Sequence, residues 1–199
     1  MSLIIGGILR SKVALFADSA GTKVMYVPSL RLIVAWAGYF NRPPLTIVSS
    51  TEPEFLNPNE HAGNLSVDAR MQVLIEHINS LEHVHPNGKQ ALIFVAASYE
   101  NVHKIKVFES WGGKGEWPPT GENLPPLFMA GCLEPFGITG AYTRLLDSVS
   151  SVSSLANLGV DKIKQANDWL CKCGMSPNIQ PPLAGYMLSK KGLTKVQRS

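Results

Sequence analysis

Three residues near the start of the chain carry groups that could do chemistry: Ser2, Asp18 and Lys23. A serine hydroxyl is a poor nucleophile until a base takes its proton. A free α-amino group has a pKa close to neutrality, so an N-terminal residue can supply that base itself. A lysine ammonium lowers the pKa of neighbouring groups, and a carboxylate can hold it in place. Asp18 and Lys23 would equally suit an ion pair flanking a hairpin turn, and the residues leave both interpretations open.

Other chemically suggestive groups have simpler interpretations. Cys171 and Cys173 have no second Cys or His pair at zinc spacing, so no metal site is predicted. His83 and His85 lie in a polar stretch after a predicted helix. The Gly-rich residues 111–115 lack the strand–loop–helix context and the Lys-Ser/Thr ending of a phosphate-binding loop, which disfavours a nucleotide-using enzyme. We expect no metal ion and no organic cofactor.

Composition limits the class of protein. The chain has 199 residues, 45% of them hydrophobic and 17% charged, which suits a globular protein with a sizeable core. The net charge of +3, without a basic stripe interleaved with aromatics, gives no reason to expect nucleic acid. No apolar run is long enough to cross a bilayer, the start does not resemble a signal peptide, and three cysteines argue against a disulfide framework. We therefore expect a cytoplasmic protein of one domain, residues 1–199, that binds neither nucleic acid nor membrane.

Short apolar runs broken by turn residues predict strands along much of the chain. Most runs are nearly continuous rather than alternating, which predicts sheets covered on both faces. The run 104–108 alternates charged and apolar residues, as a half-exposed strand does. The predicted strands are Leu3–Leu9, Val13–Ala17, Lys23–Val27, Leu30–Trp36, Gln90–Ala97, Lys104–Phe108, Leu127–Gly131, Leu183–Leu188 and Leu193–Val196.

Three helices are also predicted. Apolar residues recur at helical spacing from Val67 to Leu81, behind Ser66 as a candidate N-cap. Phe136–Leu146 can form a second helix and Val160–Leu170 a third. Residues 41–65, rich in Pro, Asn, Ser and Glu, are interpreted as an irregular insertion. Because strand runs and helix runs are segregated, the order predicts an α+β fold of antiparallel sheets with helices on their outer faces.

The order of four segments near the start resembles that of proteasome β-type subunits, which are N-terminal nucleophile (Ntn) hydrolases. The segments are Ser2-Leu-Ile-Ile-Gly6, Ala17-Asp18-Ser19, Lys23-Val-Met-Tyr and Ala35-Trp-Ala-Gly38. The resemblance continues through 91–97, 127–131 and a closing hairpin at 183–196, weakly in each segment but in the same order throughout. It implies a four-layer αββα sandwich, in which two antiparallel sheets are flanked by helices.

The resemblance also implies a set of roles. Ser2 would be the nucleophile once Met1 is removed, with its own amine as the base. Lys23 would be its electrostatic partner, Asp18 would orient Lys23, and the backbone N–H at Gly38 would donate to an oxyanion. The implied reaction is hydrolysis of a peptide or amide bond. The implied partners are that substrate and further copies of the chain, since the family builds rings from laterally packed subunits.

The alternative is a non-catalytic structural or binding subunit on the same fold, also within an oligomer, because a fold does not decide function. The two hypotheses differ at the chain start. Catalysis requires an uncapped Ser2, whereas a retained Met1 would block the amine.

Overall fold

The structure is a computed structural model, and it describes ten stretches of the chain. Ser2, the predicted nucleophile, lies outside the described residues, as do His83, His85 and nearly all of the predicted insertion at 41–65. The described residues are 3–18, 23–38, 64–80, 90–111, 117–118, 120–131, 142–145, 149–176, 179 and 181–198.

Eleven strands in the described residues form two antiparallel sheets. Sheet I has the strand order β11-β10-β2-β1-β8-β9, and sheet II has the order β3-β4-β5-β6-β7. The strands of sheet I are β1 (Leu3–Leu9), β2 (Lys12–Ala17), β8 (Leu127–Gly131), β9 (Thr143–Arg144), β10 (Leu183–Ser189) and β11 (Gly192–Arg198). Those of sheet II are β3 (Val24–Val27), β4 (Leu32–Gly38), β5 (Gln90–Tyr99), β6 (Val102–Trp111) and β7 (Glu122–Asn123).

The inner faces of the two sheets pack on each other, and successive residues of a strand serve different cores. On β4, Ile33 and Ala35 belong to the core between the sheets. Their neighbours Val34 and Trp36 belong to a second core on the outer face of sheet II. Side chains alternate across a strand, so a strand covered on both faces must be apolar throughout. This explains the nearly continuous apolar runs in the sequence.

One helix lies against the outer face of each sheet. Helix α1 (Val67–Ser80) packs on sheet II, and helix α2 (Val152–Lys172) packs on sheet I. Ser66 Oγ accepts a hydrogen bond from Ala69 N at 3.2 Å, as expected of an N-cap. Helix α2 begins at a capping box, in which Ser151 and Ser154 each bond the other's backbone N–H at 3.0 Å.

The pairing of β10 with β2 joins the two ends of the described chain. Ala17 pairs with Ala184 and Val13 with Leu188. A Cβ at Gly185 would lie 2.1 Å from the backbone oxygen of Leu15, so the close approach of these strands requires glycine there.

The predicted four-layer αββα sandwich is wrong. Strand is the most frequent structure among the described residues, which contain two helices, so each sheet carries a single described helix on its outer face rather than a layer of helices. The predicted helix Phe136–Leu146 is contradicted where the structure describes it, because Thr143 and Arg144 form β9 and pair with β8. Helix α2 also begins at Val152, well before the predicted start at Val160, because the capping box lies at Ser151.

No helix in the described part of the chain is long and apolar enough to cross a bilayer. The prediction that residues 1–199 form one domain stays a prediction.

Candidate functional site

Asp18 lies directly after β2, where that strand ends beside the start of β1. Its side chain is fully buried, and its Oδ1 accepts a hydrogen bond from Leu3 N at 3.0 Å. The backbone returns the contact, since Asp18 N donates to Leu3 O at 3.1 Å. The carboxylate is therefore fixed at the first described residue of β1.

Lys23 brings an ammonium group to the same carboxylate. Its Nζ lies 2.9 Å from both Oδ1 and Oδ2 of Asp18, and its side chain is 11% exposed. The backbone of Lys23 extends β3, because Trp36 N on β4 donates to Lys23 O at 3.1 Å. Since β2 belongs to sheet I and β3 to sheet II, the ion pair joins the two sheets. The interpretation as an ion pair across a hairpin turn does not describe this arrangement.

Gly38, the predicted oxyanion donor, is the last residue of β4. It lies two residues beyond Trp36, at the end of sheet II that also carries Lys23, and it is exposed. Its φ of 101° lies in the region that favours glycine. Its role as a donor stays a prediction.

Ser2 lies outside the described residues, but its neighbour in the chain is well placed. Leu3 N is the amide nitrogen that joins Leu3 to Ser2, and this nitrogen is the group that donates to Asp18. The structure thus brings Asp18 and Lys23 together at the residue that follows the predicted nucleophile.

A cleft of about 380 Å³ opens beside the Asp18–Lys23 pair. This volume is within the range of small-ligand sites, roughly 300–1,000 Å³. One wall comes from the end of β2 and the start of β3, and the other comes from β10 and β11. The residues of the second wall are Pro182, Ala184, Gly185, Tyr186, Lys195 and Gln197.

Sequence reasoning missed this second wall. The closing hairpin was predicted as two strands, but nothing in its residues indicated that it would lie beside β2, more than 160 positions earlier. The one local signal lies in β11, where side chains alternate between the two faces of the strand. Lys195 and Gln197 lie on the same face as Leu193, which is exposed.

A second polar pair lies at the other end of the sheets. Ser98 Oγ is 2.9 Å from His103 Nδ1 across the β5–β6 hairpin. Burial lowers the pKa of His103 below its usual value of 6.5, and the nearby Lys190 ammonium lowers it further. The described residues include no group of three or more His, Cys, Asp or Glu side chains arranged to hold a metal ion.

Comparisons with known proteins connect this fold to a bacterial protein. No protein-family model matches the chain, and no curated protein matches it. Among solved structures it is similar to Anbu (ancestral beta-subunit) from Yersinia bercovieri, with a TM-score of 0.53 and 12% sequence identity over 99% of this chain and 87% of that chain. At this identity the likeness shows the fold alone.

The identification of the chain as a proteasome β-type subunit of the Ntn hydrolases is therefore wrong as a family assignment. The likeness to an ancestral beta-subunit is weak at 12% identity. Two antiparallel sheets with one described helix on each do not give a clear Ntn fold. What stands is a distant similarity of architecture.

Proposed function

We propose that this chain is an amide-bond hydrolase, distantly related to proteasome subunits, in which Ser2 becomes the nucleophile after Met1 is removed. One observation carries the proposal: the buried Asp18 carboxylate binds both Leu3 N and Lys23 Nζ at the edge of a cleft. Through this carboxylate, Leu3, the residue that follows Ser2, lies close to the Lys23 ammonium group. The fold likeness to an ancestral beta-subunit supports the distant relationship.

In the proposed reaction the free amine of Ser2 takes the proton of its own hydroxyl. The serine oxygen then attacks the carbonyl carbon of the substrate amide, and the resulting oxyanion is stabilised by a backbone N–H, for which Gly38 is the candidate. The tetrahedral intermediate collapses as the C–N bond breaks, and the leaving amine takes the proton from the Ser2 ammonium. Water activated by the same amine hydrolyses the ester and restores the hydroxyl.

Lys23 and Asp18 would act as positioning residues in this scheme. A positive charge beside an amine disfavours its protonated form, so the Lys23 ammonium would keep the Ser2 amine available as a base. Asp18 holds that ammonium through two bonds of 2.9 Å. The carboxylate also holds the start of β1 through Leu3 N.

The first experiment compares the wild type with Ser2→Ala on a panel of fluorogenic peptide amides. We expect kcat/KM to fall at least about 1,000-fold, because losing the nucleophile of an acyl-transfer site removes most of its catalysis. Intact mass establishes beforehand that Met1 is absent. Ser11→Ala, the same change in the exposed β1–β2 turn, is the control and should retain full activity. Undiminished hydrolysis by Ser2→Ala would refute the proposal.

The second candidate function is a non-catalytic structural or binding subunit. The same Asp18 contacts favour it, because a buried carboxylate that ties β1 to Lys23 also has a purely structural use. Native protein that retains Met1 and hydrolyses none of the amides would support this candidate. Both candidates predict assembly of identical subunits, a ring among the arrangements, which native mass spectrometry measures.

A further inference from the structure

Strand β11 lies beyond the edge strand of sheet II, so its face on that side is not covered by a described strand of sheet II. Sheet I has six described strands and sheet II has five. β10 contacts β3, the edge strand of sheet II, so β11 lies one strand further out. On this face Tyr186 is paired with Lys195, and Ala184 is paired with Gln197. All four side chains line the cleft beside Asp18 and Lys23.

The closing hairpin that supplies this wall is basic throughout. Residues 183–199 include Lys190, Lys191, Lys195 and Arg198 and no acidic residue. Two of these cations bind residues outside the cleft. Lys190 Nζ donates to Asn101 Oδ1 at 2.8 Å, and an Arg198 nitrogen donates to Ser153 Oγ at 2.9 Å. Lys195 is the hairpin cation that lines the cleft.

The charges of the cleft do not cancel. Its described lining contains two lysines, Lys23 and Lys195, and one acid, Asp18. Asp18 is committed to Lys23 through both carboxylate oxygens. The ion pairs found among the described residues do not include Lys195. The cleft therefore carries one positive charge without a matching acid in its described lining.

We propose that this cleft binds a carboxylate of the substrate, held by the Lys195 ammonium with Tyr186 and Gln197 as neutral donors. The inference rests on the proposed function and names its substrate class: peptides that carry an acidic side chain or a free C-terminal carboxylate. Hydrogen bonds between an ammonium and a carboxylate are stronger than neutral ones. The apolar Ala17, Val24 and Pro182 on the same cleft suit the carbon chain that carries the acid.

The first test measures hydrolysis of matched peptide amides that differ only in Glu or Gln at one position. The wild type should prefer the Glu peptide roughly 10-fold in kcat/KM, the range of one charge-assisted hydrogen bond. Lys195→Gln should abolish this preference, so that the Glu and Gln peptides are cleaved with equal kcat/KM. Lys191→Gln removes the same charge from the exposed turn of the hairpin and should keep the preference. A second pair of peptides, with a free or an amidated C-terminus, identifies which carboxylate the cleft takes.

The second test separates this inference from the proposed reaction. Fluorescence anisotropy measures binding of the same labelled peptides to Ser2→Ala and to Ser2→Ala/Lys195→Gln. In one outcome, Ser2→Ala binds acidic peptides more tightly, the Lys195→Gln change removes this difference, and the wild type cleaves none of the peptides. This outcome supports the carboxylate site and overturns the hydrolase. Cleavage by the wild type with equal rates for Glu and Gln peptides, and equal binding, overturns the carboxylate site and leaves the hydrolase. Unchanged thermal unfolding of Lys195→Gln shows that the variant is folded.

Discussion

At the scale of single residues, Asp18 connects three parts of the described chain. Its carboxylate joins the start of β1, the end of β2 and Lys23 ahead of β3. The sequence correctly indicated that Asp18 and Lys23 belong together. It could not indicate that Asp18 follows a strand of sheet I while Lys23 precedes a strand of sheet II, because that depends on which strands pair.

Breaking this ion pair from the lysine side should be costly. In Lys23→Met, a fully buried carboxylate loses its cation, and we expect the free energy of unfolding to fall by about 3 kcal/mol. The double variant Asp18→Asn/Lys23→Met should lose less, because no buried charge is left unpaired. Urea unfolding measures both. Lys104→Met, which breaks an exposed pair, is the control and should cost less than about 1 kcal/mol. Equal losses in Lys23→Met and Lys104→Met would contradict the argument.

His103 should make stability depend on pH below neutrality. Its pKa in the folded protein is lowered from 6.5 by burial and by Lys190, so the unfolded chain takes up a proton first as the pH falls. Stability should therefore decrease as the pH falls below about 6.5 and level off once the pH passes the folded pKa. Urea unfolding at several pH values from about 7.5 to about 4.5, which spans the titration of a histidine, measures how the free energy of unfolding changes with pH. His103→Gln should flatten this dependence, and an unchanged dependence would rule out this assignment.

At the scale of elements, charged residues on β6 have a use that the sequence did not show. The alternation at 104–108 predicted a half-exposed strand. In the structure, Asp68 in the first turn of α1 accepts hydrogen bonds from Lys104 Nζ at 2.5 Å and contacts Lys106 Nζ at 2.8 Å. The charged face of β6 thus also fixes the start of the helix that covers sheet II.

Most single elements could be predicted because their signals are local. The apolar run of β1 and the Ser66 cap with the helical stripe of α1 both coincide with the structure. The errors have different causes. Thr143 and Arg144 are strand residues because they bond to β8, which is a tertiary contact. The early start of α2 has local signals that the predicted helix did not include, namely the capping box at Ser151 and buried apolar residues such as Leu155 and Ala156.

The contact of α1 with β6 predicts a change in acid stability. Hydrogen bonds from Lys104 and then Lys106 lower the pKa of Asp68 from 3.8 in the folded protein. The resulting stabilisation is present above pH 3.8 and is lost as the pH falls through the lower, folded pKa. Asp68→Asn should cost less than about 1 kcal/mol at pH 7, since Asp68 is half exposed, and the difference from wild type should vanish in strong acid. Urea unfolding at pH 7 and pH ~2 measures both. Asp161→Asn on the exposed side of α2 is the control; a difference that persists in acid would contradict the prediction.

At the scale of the whole molecule, the sequence predicted two antiparallel sheets but not their composition. Which strands share a sheet depends on pairings between distant segments, such as Ala17 with Ala184, that leave no local trace. The candidate site shows the same limit. Asp18 and Lys23 were predicted together, whereas the wall formed by Tyr186 and Lys195 could be found only from the folded chain.

Gly185→Ala should test how much of the fold depends on the β2–β10 pairing. The added Cβ would lie 2.1 Å from the backbone oxygen of Leu15, and neither strand can shift without disturbing the pairing. We expect a loss of about 3 kcal/mol or more in urea unfolding. Gly174→Ala, with open space around its Cβ and a φ of +72°, is the control and should cost about 1 kcal/mol. A loss at Gly185 no larger than that at Gly174 would show that the strands can separate cheaply.

The β2–β10 pairing has a consequence for biosynthesis. Residues 12–17 are translated more than 160 positions before their partner strand at 184–189. Until then the nascent protein presents one side of β2 with open amide and carbonyl groups, together with apolar side chains such as Leu15. Exposed strand borders of this kind recruit other chains. We therefore expect β2 to be prone to association with other chains until β10 has been translated.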